Sequence, residues 1–218
     1  HGDKVVVEMV SWPEGGKNPV GRVVEKLNHY SDDDVEMKSI LIDHGFFLDF
    51  DDAVIKEVNR ISTEINADDL KGRKDFRGIT TFTIDPLNAK DFDDALSIQK
   101  LKNGNWEIGV HIADVSHYIQ PDSVLDKEAY QRATSIYLVD RVVPMLPEML
   151  SNGVCSLRPQ ETKLCFSAVF ELDENAKVLS EWFGRTVIFS DRRFSYEEAQ
   201  QCIETGEGVF AEEILVMD

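Results

Sequence analysis

Cysteine is scarce. Cys155, Cys165 and Cys202 are an odd number with no Cys-x-x-Cys spacing, which excludes a disulfide framework and fits reduced core residues of a cytoplasmic protein. Long apolar runs are missing: nothing approaches the ~20 residues of a membrane-spanning helix, and the opening HGDKVVVEMV has no secretory pattern. The expectation is a cytoplasmic chain with no membrane partner. Internal repeats and low-complexity tracts are absent too. Basic residues are outnumbered, 23 against 41 acidic ones, for a net charge of −18. That is the wrong sign for a free-standing nucleic-acid binder, which usually carries a basic patch. What remains is a soluble globular chain, 42% hydrophobic and 218 residues long, enough for one domain or one and a half.

The acidic excess has a centre. Thr83-Ile84-Asp85-Pro86-Leu87-Asn88-Ala89-Lys90-Asp91-Phe92-Asp93-Asp94 puts four carboxylates into ten residues. Thr81 to Ile84 reads as a short β-branched strand with Asp85 at its end. Pro86 and Asn88 bend the chain, and Asp91, Asp93 and Asp94 return ahead of the apolar alternation at Leu96 and Ile98. A tight bend can bring four such side chains to one point, where like charges raise each other's pKa unless a cation sits among them. Hard oxygen ligands in a group suit Mg²⁺ or Mn²⁺. A solvated acidic loop is the plain alternative. An EF-hand does not fit, because Asp91-x-Asp93-x-Ala95 lacks the third ligand and the glycine. A phosphoaspartyl DxD enzyme would place Asp91 directly after an apolar strand, whereas Asn88-Ala89-Lys90 precedes it. Lys90 can offset the repulsion among the aspartates.

The rest of the pattern predicts a mixed α/β (α+β) fold. Residues 4–10 and 19–27 read as strands, broken by Pro13, Gly15 and Gly16. Ser31–Asp34 reads as a loop. Val54, Val58, Ile61 and Ile65 fall on one face of a helix capped by Asp51 or Asp52, and the polar 66–78 reads as a linker. Strands 95–101 and 106–113 meet at Asn103-Gly104, a strong hairpin signal. Ser123 with Asp126 resembles a capping box for a helix to about Thr134, and Ser195 with Glu198 another for a helix to Ile203. Ile136–Val139 is extended. A short helix over 147–151 is ended by Asn152-Gly153. Strands follow over 164–172 and 177–189, and residues 209–217 begin an apolar helix. His111 and His117 flank Asp114, but i, i+6 is not a usual ligand spacing, so packing is the better reading. Arg158 suits a phosphate or plain solvent.

The spacing Asp85-x5-Asp91-x-Asp93-Asp94 inside TIDPLNAKDFDDA resembles the signature of the RNase II superfamily, the RNB-domain 3′→5′ exoribonucleases. HIADVSHYI at 111–119 and TSIYLVDRVVPMLPEMLSNGVCSL at 134–157 agree, and the resemblance, running from about Phe82 to Tyr196, is to the RNase R-like branch. It implies processive hydrolysis of single-stranded RNA from the 3′ end to nucleoside 5′-monophosphates. It implies Mg²⁺, with Mn²⁺ as a substitute, held by Asp85, Asp91, Asp93 and Asp94. A tyrosine in an apolar strand is usually core, but the matched string makes Tyr137 the ring that stacks on the terminal base, and Tyr196 a second RNA contact. The implied domains are the last strands of a cold-shock, OB-type domain over 1–27, a linker with a helix over 28–78, and the first part of the RNB catalytic domain over 79–218. On that reading the chain is a fragment of a monomeric parent, inactive by itself, with an apolar end open to self-association. A non-catalytic RNA-binding or scaffolding member of the fold would be expected to lack one or more of the four aspartates, and all are present. A metal-dependent nuclease acting on DNA would differ in contacts to the 2′-hydroxyl.

Overall fold

The computed structural model describes residues 3–13, 18–27, 32–139 and 141–218, and the chain divides into two units, 1–51 and 52–218. In the first, β1 (Val5–Ser11) and β2 (Val20–Lys26) pair antiparallel with Val5 opposite Lys26. Both predicted strands are present, and the turn signal at Gly15 and Gly16 lies outside the described residues. A Cβ on Gly21 would come 2.3 Å from Cγ1 of Val7, so only glycine lets the strands approach so closely. The loop predicted over Ser31–Asp34 differs: Ser31 lies outside the described residues, and Asp34 is already inside helix α1 (Asp32–Asp43). Lys38 is the reason. It lies buried between Val35 and Leu41 on the inner stripe, its ammonium 2.6 Å from Glu25. A lysine in the middle of the stripe hides the apolar period that announces a helix.

The second unit opens with α2 (Asp52–Val58), which buries Val54 and Val58. It ends before the predicted Ile65 because Ser62 turns the chain, its hydroxyl accepting from the Glu64 N–H and donating to the Glu64 carbonyl. Then come β3 (Lys74–Asp75), β4 (Thr80–Asp85), β5 (Asp94–Lys100) and β6 (Trp106–Ala113), followed by the short helix α3 (Val115–Tyr118) and by α4 (Val124–Arg132). A two-residue ladder, β7 (Ile136–Tyr137) with β8 (Val142–Val143), leads to a π-helix, Met149–Val154. The chain finishes with β9 (Thr162–Leu172), β10 (Val178–Phe189), β11 (Arg192–Ser195), α5 (Tyr196–Thr205) and α6 (Ala211–Met217). Seven strands form one sheet in the order β11-β4-β5-β6-β9-β10-β3, antiparallel except where β11 joins β4 and β3 joins β10. Among the described residues no helix is long and apolar enough to cross a membrane.

Local signals held where they were strongest. The β5–β6 turn places Gly104 at φ +93°, its N–H donating to the Leu101 carbonyl. Ser195 and Glu198 form the full capping box of α5, and Gly206 closes that helix in the left-handed region. Ser123 caps α4, but the Asp126 carboxylate accepts from the Asp122 amide, so that box is half made. The predicted stop at Asn152-Gly153 fails. The π-helix runs through it, and the Gly153 carbonyl is taken by the buried Lys163 ammonium at 2.8 Å.

Each face of the sheet has its own chemistry. On one, Phe82 and Phe194 pack edge to face at 5.5 Å and bury Ala199, Cys202, Ala211 and Ile214 of the last two helices. On the other lies a buried polar ladder. His111 bridges the hydroxyls of Ser97 at 2.8 Å and Ser167 at 2.7 Å, and Ser167 contacts Thr186 at 2.6 Å. Gly109 makes room, since a Cβ there would lie 2.4 Å from the Ser97 hydroxyl. Beside the ladder, Arg73 donates to the carbonyls of Asp69, Cys165 and Thr186 and to the Asp114 carboxylate at 2.7 Å. The polar stretch 66–78 is thereby docked onto the sheet, within the compact unit that begins at Asp52.

Burial pushes the His111 imidazole down from 6.5 to about 4. The unfolded chain therefore binds the extra proton between those values, and stability is full above pH 6.5 and falls as the pH drops toward 4. For a site this buried the loss from pH 7.5 to 5 amounts to about 2 kcal/mol. Urea denaturation of wild type and His111→Gln at both pH values should show the gap between them shrinking by that amount at pH 5. A gap that does not change with pH contradicts a buried neutral imidazole.

Candidate metal centre

The antiparallel register of β4 with β5, Phe82 opposite Leu96, carries Asp85 and Asp94 to the same end of the hairpin. The bend between them is fixed by partners distant in sequence. The Phe92 amide donates to the Ser156 hydroxyl at 3.0 Å and its carbonyl accepts from Leu157 at 2.7 Å. The Ser156 hydroxyl donates to the Lys90 carbonyl, and the Asp93 carbonyl accepts from Ala113 at the end of β6. Phe92 is buried, while Asp91 and Asp93 on either side of it line the cleft.

Asp85, Asp91, Asp93 and Asp94 all line one cleft of roughly 760 Å³, with Lys90, Tyr137 and Arg141 on its walls. Asp85 is buried, and its Oδ2 has no hydrogen-bond partner among the described residues. Desolvation raises its carboxyl pKa; Thr83 opposes this, the charge of Asp94 adds to the rise, Arg193 opposes it and Asp91 adds again. Asp93 opens onto the cleft and is raised by desolvation within it and then by Asp91, Asp94 and Asp85. Asp91 is anchored: the Tyr137 hydroxyl donates to its Oδ2 at 2.6 Å, an interaction that with partial burial pushes the phenol up to about 12. Among the described residues no three carboxylate, histidine or cysteine side chains are drawn together tightly enough to enclose an ion as they stand. The donors themselves, all hard oxygens with one buried lone oxygen, fit Mg²⁺ or Mn²⁺.

Other candidates lie elsewhere. Tyr137 projects at the cleft with its ring largely exposed, whereas Tyr196, also exposed, opens α5 and is not among the described residues that line the cleft. His111 belongs to the ladder, and His117 lies 3.4 Å from Asp69, so the two do not form a ligand pair. Arg158 faces Glu161 at 3.9 Å in a separate cavity beyond the π-helix. Two residues that sequence reasoning passed over shape the site: Ser156, which pins the bend, and Arg193, which donates to the Pro86 carbonyl. Neither has a local signal, because each reaches the bend through tertiary pairing.

A mixed seven-stranded sheet with helices packed on one face carries, at the end of its β4–β5 hairpin, an acidic cleft beside a tyrosine. The chain belongs to the RNB-domain family, the RNase II superfamily, matching it over residues 73–213, and a cold shock domain match covers residues 1–51. It is 43% identical over 203 residues to Ribonuclease R of Thermotoga maritima, a match that covers 92% of this chain and 29% of that protein. Among solved structures it resembles Mycoplasma genitalium RNase R in complex with double-stranded RNA, with a TM-score of 0.82 and 27% identity over 98% of this chain and 38% of that one. It also resembles yeast Ssd1, a pseudonuclease, with a TM-score of 0.76 and 25% identity over 97% of this chain and 27% of that one. The chain thus spans less than a third of the Thermotoga relative.

The raised carboxyl of Asp93 carries a sign. A carboxylate whose folded pKa lies above its unfolded value costs stability at neutral pH and gives it back as the pH falls. In chelator at pH 7.5, Asp93→Asn should therefore raise the thermal midpoint above that of wild type. A lower midpoint than wild type means the carboxylates are not repelling one another.

Proposed function

We propose that this chain supplies the metal-binding part of a 3′→5′ exoribonuclease centre, which in the whole protein hydrolyses single-stranded RNA processively to nucleoside 5′-monophosphates. The observation that carries this reading is the convergence of Asp85, Asp91, Asp93 and Asp94 on one cleft beside Tyr137. All four carboxylates hold the divalent ion or ions. Bound Mg²⁺ or Mn²⁺ supplies activation of the attacking water and stabilisation of the departing 3′ oxygen. The chain's own groups do the positioning. The Tyr137 hydroxyl fixes one oxygen of Asp91, and its exposed ring offers a stacking surface that accepts any base. Lys90 and Arg141 bring positive charge to the cleft wall, where a phosphate would pass. Tyr196, exposed at the start of α5, takes a second nucleotide outside the cleft.

A non-catalytic role is favoured by one observation, the likeness to the Ssd1 pseudonuclease. The complete set of aspartates in the cleft weighs against it. We place the protein in a reducing compartment such as the cytoplasm, since Cys155, Cys165 and Cys202 are all free and buried.

The test is an assay of the whole protein with Mg²⁺ on 3′-labelled single-stranded RNA and matched DNA. Labelled mononucleotide should appear from RNA and vanish in chelator. Asp93→Asn should slow it by more than about 100-fold, beyond what an outer-sphere change costs, with RNA binding kept. Tyr137→Ala should lose on the order of 1–3 kcal/mol of grip on the terminal bases and change the length of the final oligomer, whereas Tyr137→Phe keeps the ring and the product length. Turnover by Asp93→Asn at the wild-type rate, or no mononucleotide from wild type, contradicts the catalytic reading.

A further inference from the structure

Arg193 is a charged group near Asp85 that the reading above leaves unused. It lies on β11, which pairs parallel with β4 so that Arg193 aligns with Thr83 and Ser195 with Asp85. Neighbours in register point the same way, and side chains two apart share a face, so Arg193, Thr83 and Asp85 lie on one face of the sheet. From there the guanidinium reaches both ends of the bend that carries the carboxylates. Its Nη2 donates to the carbonyl of Pro86, the first residue after β4. The group also lies over the ring of Phe92, 5.7 Å from the centroid.

Another of its five N–H donors is idle. Nε is buried without an acceptor among the described residues, and Oδ2 of Asp85 is buried without a donor. The Thr83 hydroxyl on the same face of the sheet is likewise buried without a partner among the described residues, and such a set of unpaired donors and acceptors is rare in folded proteins and calls for an explanation. Carboxylates that bind ions commonly accept a hydrogen bond from an outer group that fixes their orientation. Asp91 already has such a group in the Tyr137 hydroxyl. Asp85 has none.

We infer that Arg193 is a positioning residue of the aspartate centre, holding the Pro86–Phe92 bend and orienting Asp85 toward the ion. The inference rests on the metal reading above. Lysine keeps the charge but lacks the planar fork, and methionine loses both. A purely electrostatic role would act in the opposite sense, since a positive charge beside Asp85 disfavours a second cation.

The experiment is a titration of the 218-residue chain with Mn²⁺ alone, followed by electron paramagnetic resonance of the free ion, for wild type, Arg193→Lys, Arg193→Met and Asp93→Asn. Circular dichroism and thermal midpoints report whether each variant is folded. Arg193→Lys should bind Mn²⁺ about 10- to 100-fold more weakly than wild type, as loss of an outer orienting group does, and Arg193→Met at least as weakly. Should the methionine variant fail to fold, the lysine variant decides. Wild-type affinity in Arg193→Lys, or tighter binding by folded Arg193→Met, overturns the inference. Failure of the metal reading looks different: wild type that binds no Mn²⁺, or Asp93→Asn that binds as wild type does, removes the centre and this inference with it.

Discussion

Like charge opposes the bend between β4 and β5, and the backbone holds it regardless. Four carboxylates share one cleft, two of them raised by desolvation and by their neighbours. The bend keeps its shape through bonds from Phe92, Lys90 and Asp93 to Ser156, Leu157 and Ala113. A neutral hydrogen bond contributes roughly 0.5–1.5 kcal/mol net, so a few of them can offset the repulsion of partly solvated carboxylates. The cleft is therefore built under like-charge tension. On the proposed reading a divalent cation relieves it, so stability of the ion-free chain and affinity for the ion report the same repulsion.

The sheet behind the cleft serves placement more than stability. A buried ion pair such as Arg73–Asp114 returns little net free energy once desolvation is counted, but removing one partner is costly. Its geometry is informative. Asp114 follows Ala113, whose N–H donates to the Asp93 carbonyl. The Arg73 fork also grips the carbonyls of Cys165 and Thr186 on β9 and β10. The pair thus links the middle of the sheet to the backbone of a proposed ligand. The serine–histidine–threonine ladder fixes the register of β5, β6, β9 and β10 in the same way, by polar matching that a one-residue slip would break.

Local physics was legible in the sequence. Turn and cap signals at Gly104 and at Ser195 with Glu198 act within a few residues, and the structure follows them. Helix α1 was hidden by Lys38, whose charge interrupts the buried stripe and is met by Glu25 from β2. The π-helix was hidden by Asn152-Gly153, a stop signal overridden when Lys163 takes the Gly153 carbonyl. The docked path of residues 66–78 depends on one arginine whose acceptors lie on strands far along the chain. At the site, charge density and spacing singled out the four aspartates from residues alone. Tyr137 needed the family resemblance, because a tyrosine in an apolar strand carries no local mark of function. Ser156 and Arg193 were invisible, since the first matters through a loop contact and the second through a parallel strand pairing.

The central claim is that Asp85, Asp91, Asp93 and Asp94 together hold divalent metal. Crystals of the chain grown or soaked with Mn²⁺ test it most directly, with diffraction recorded at the manganese absorption edge. The account predicts one or two anomalous peaks within ordinary Mn–O distance of these carboxylates, which draw together around them. Anomalous density elsewhere on the acidic surface, with none in the cleft, would contradict it.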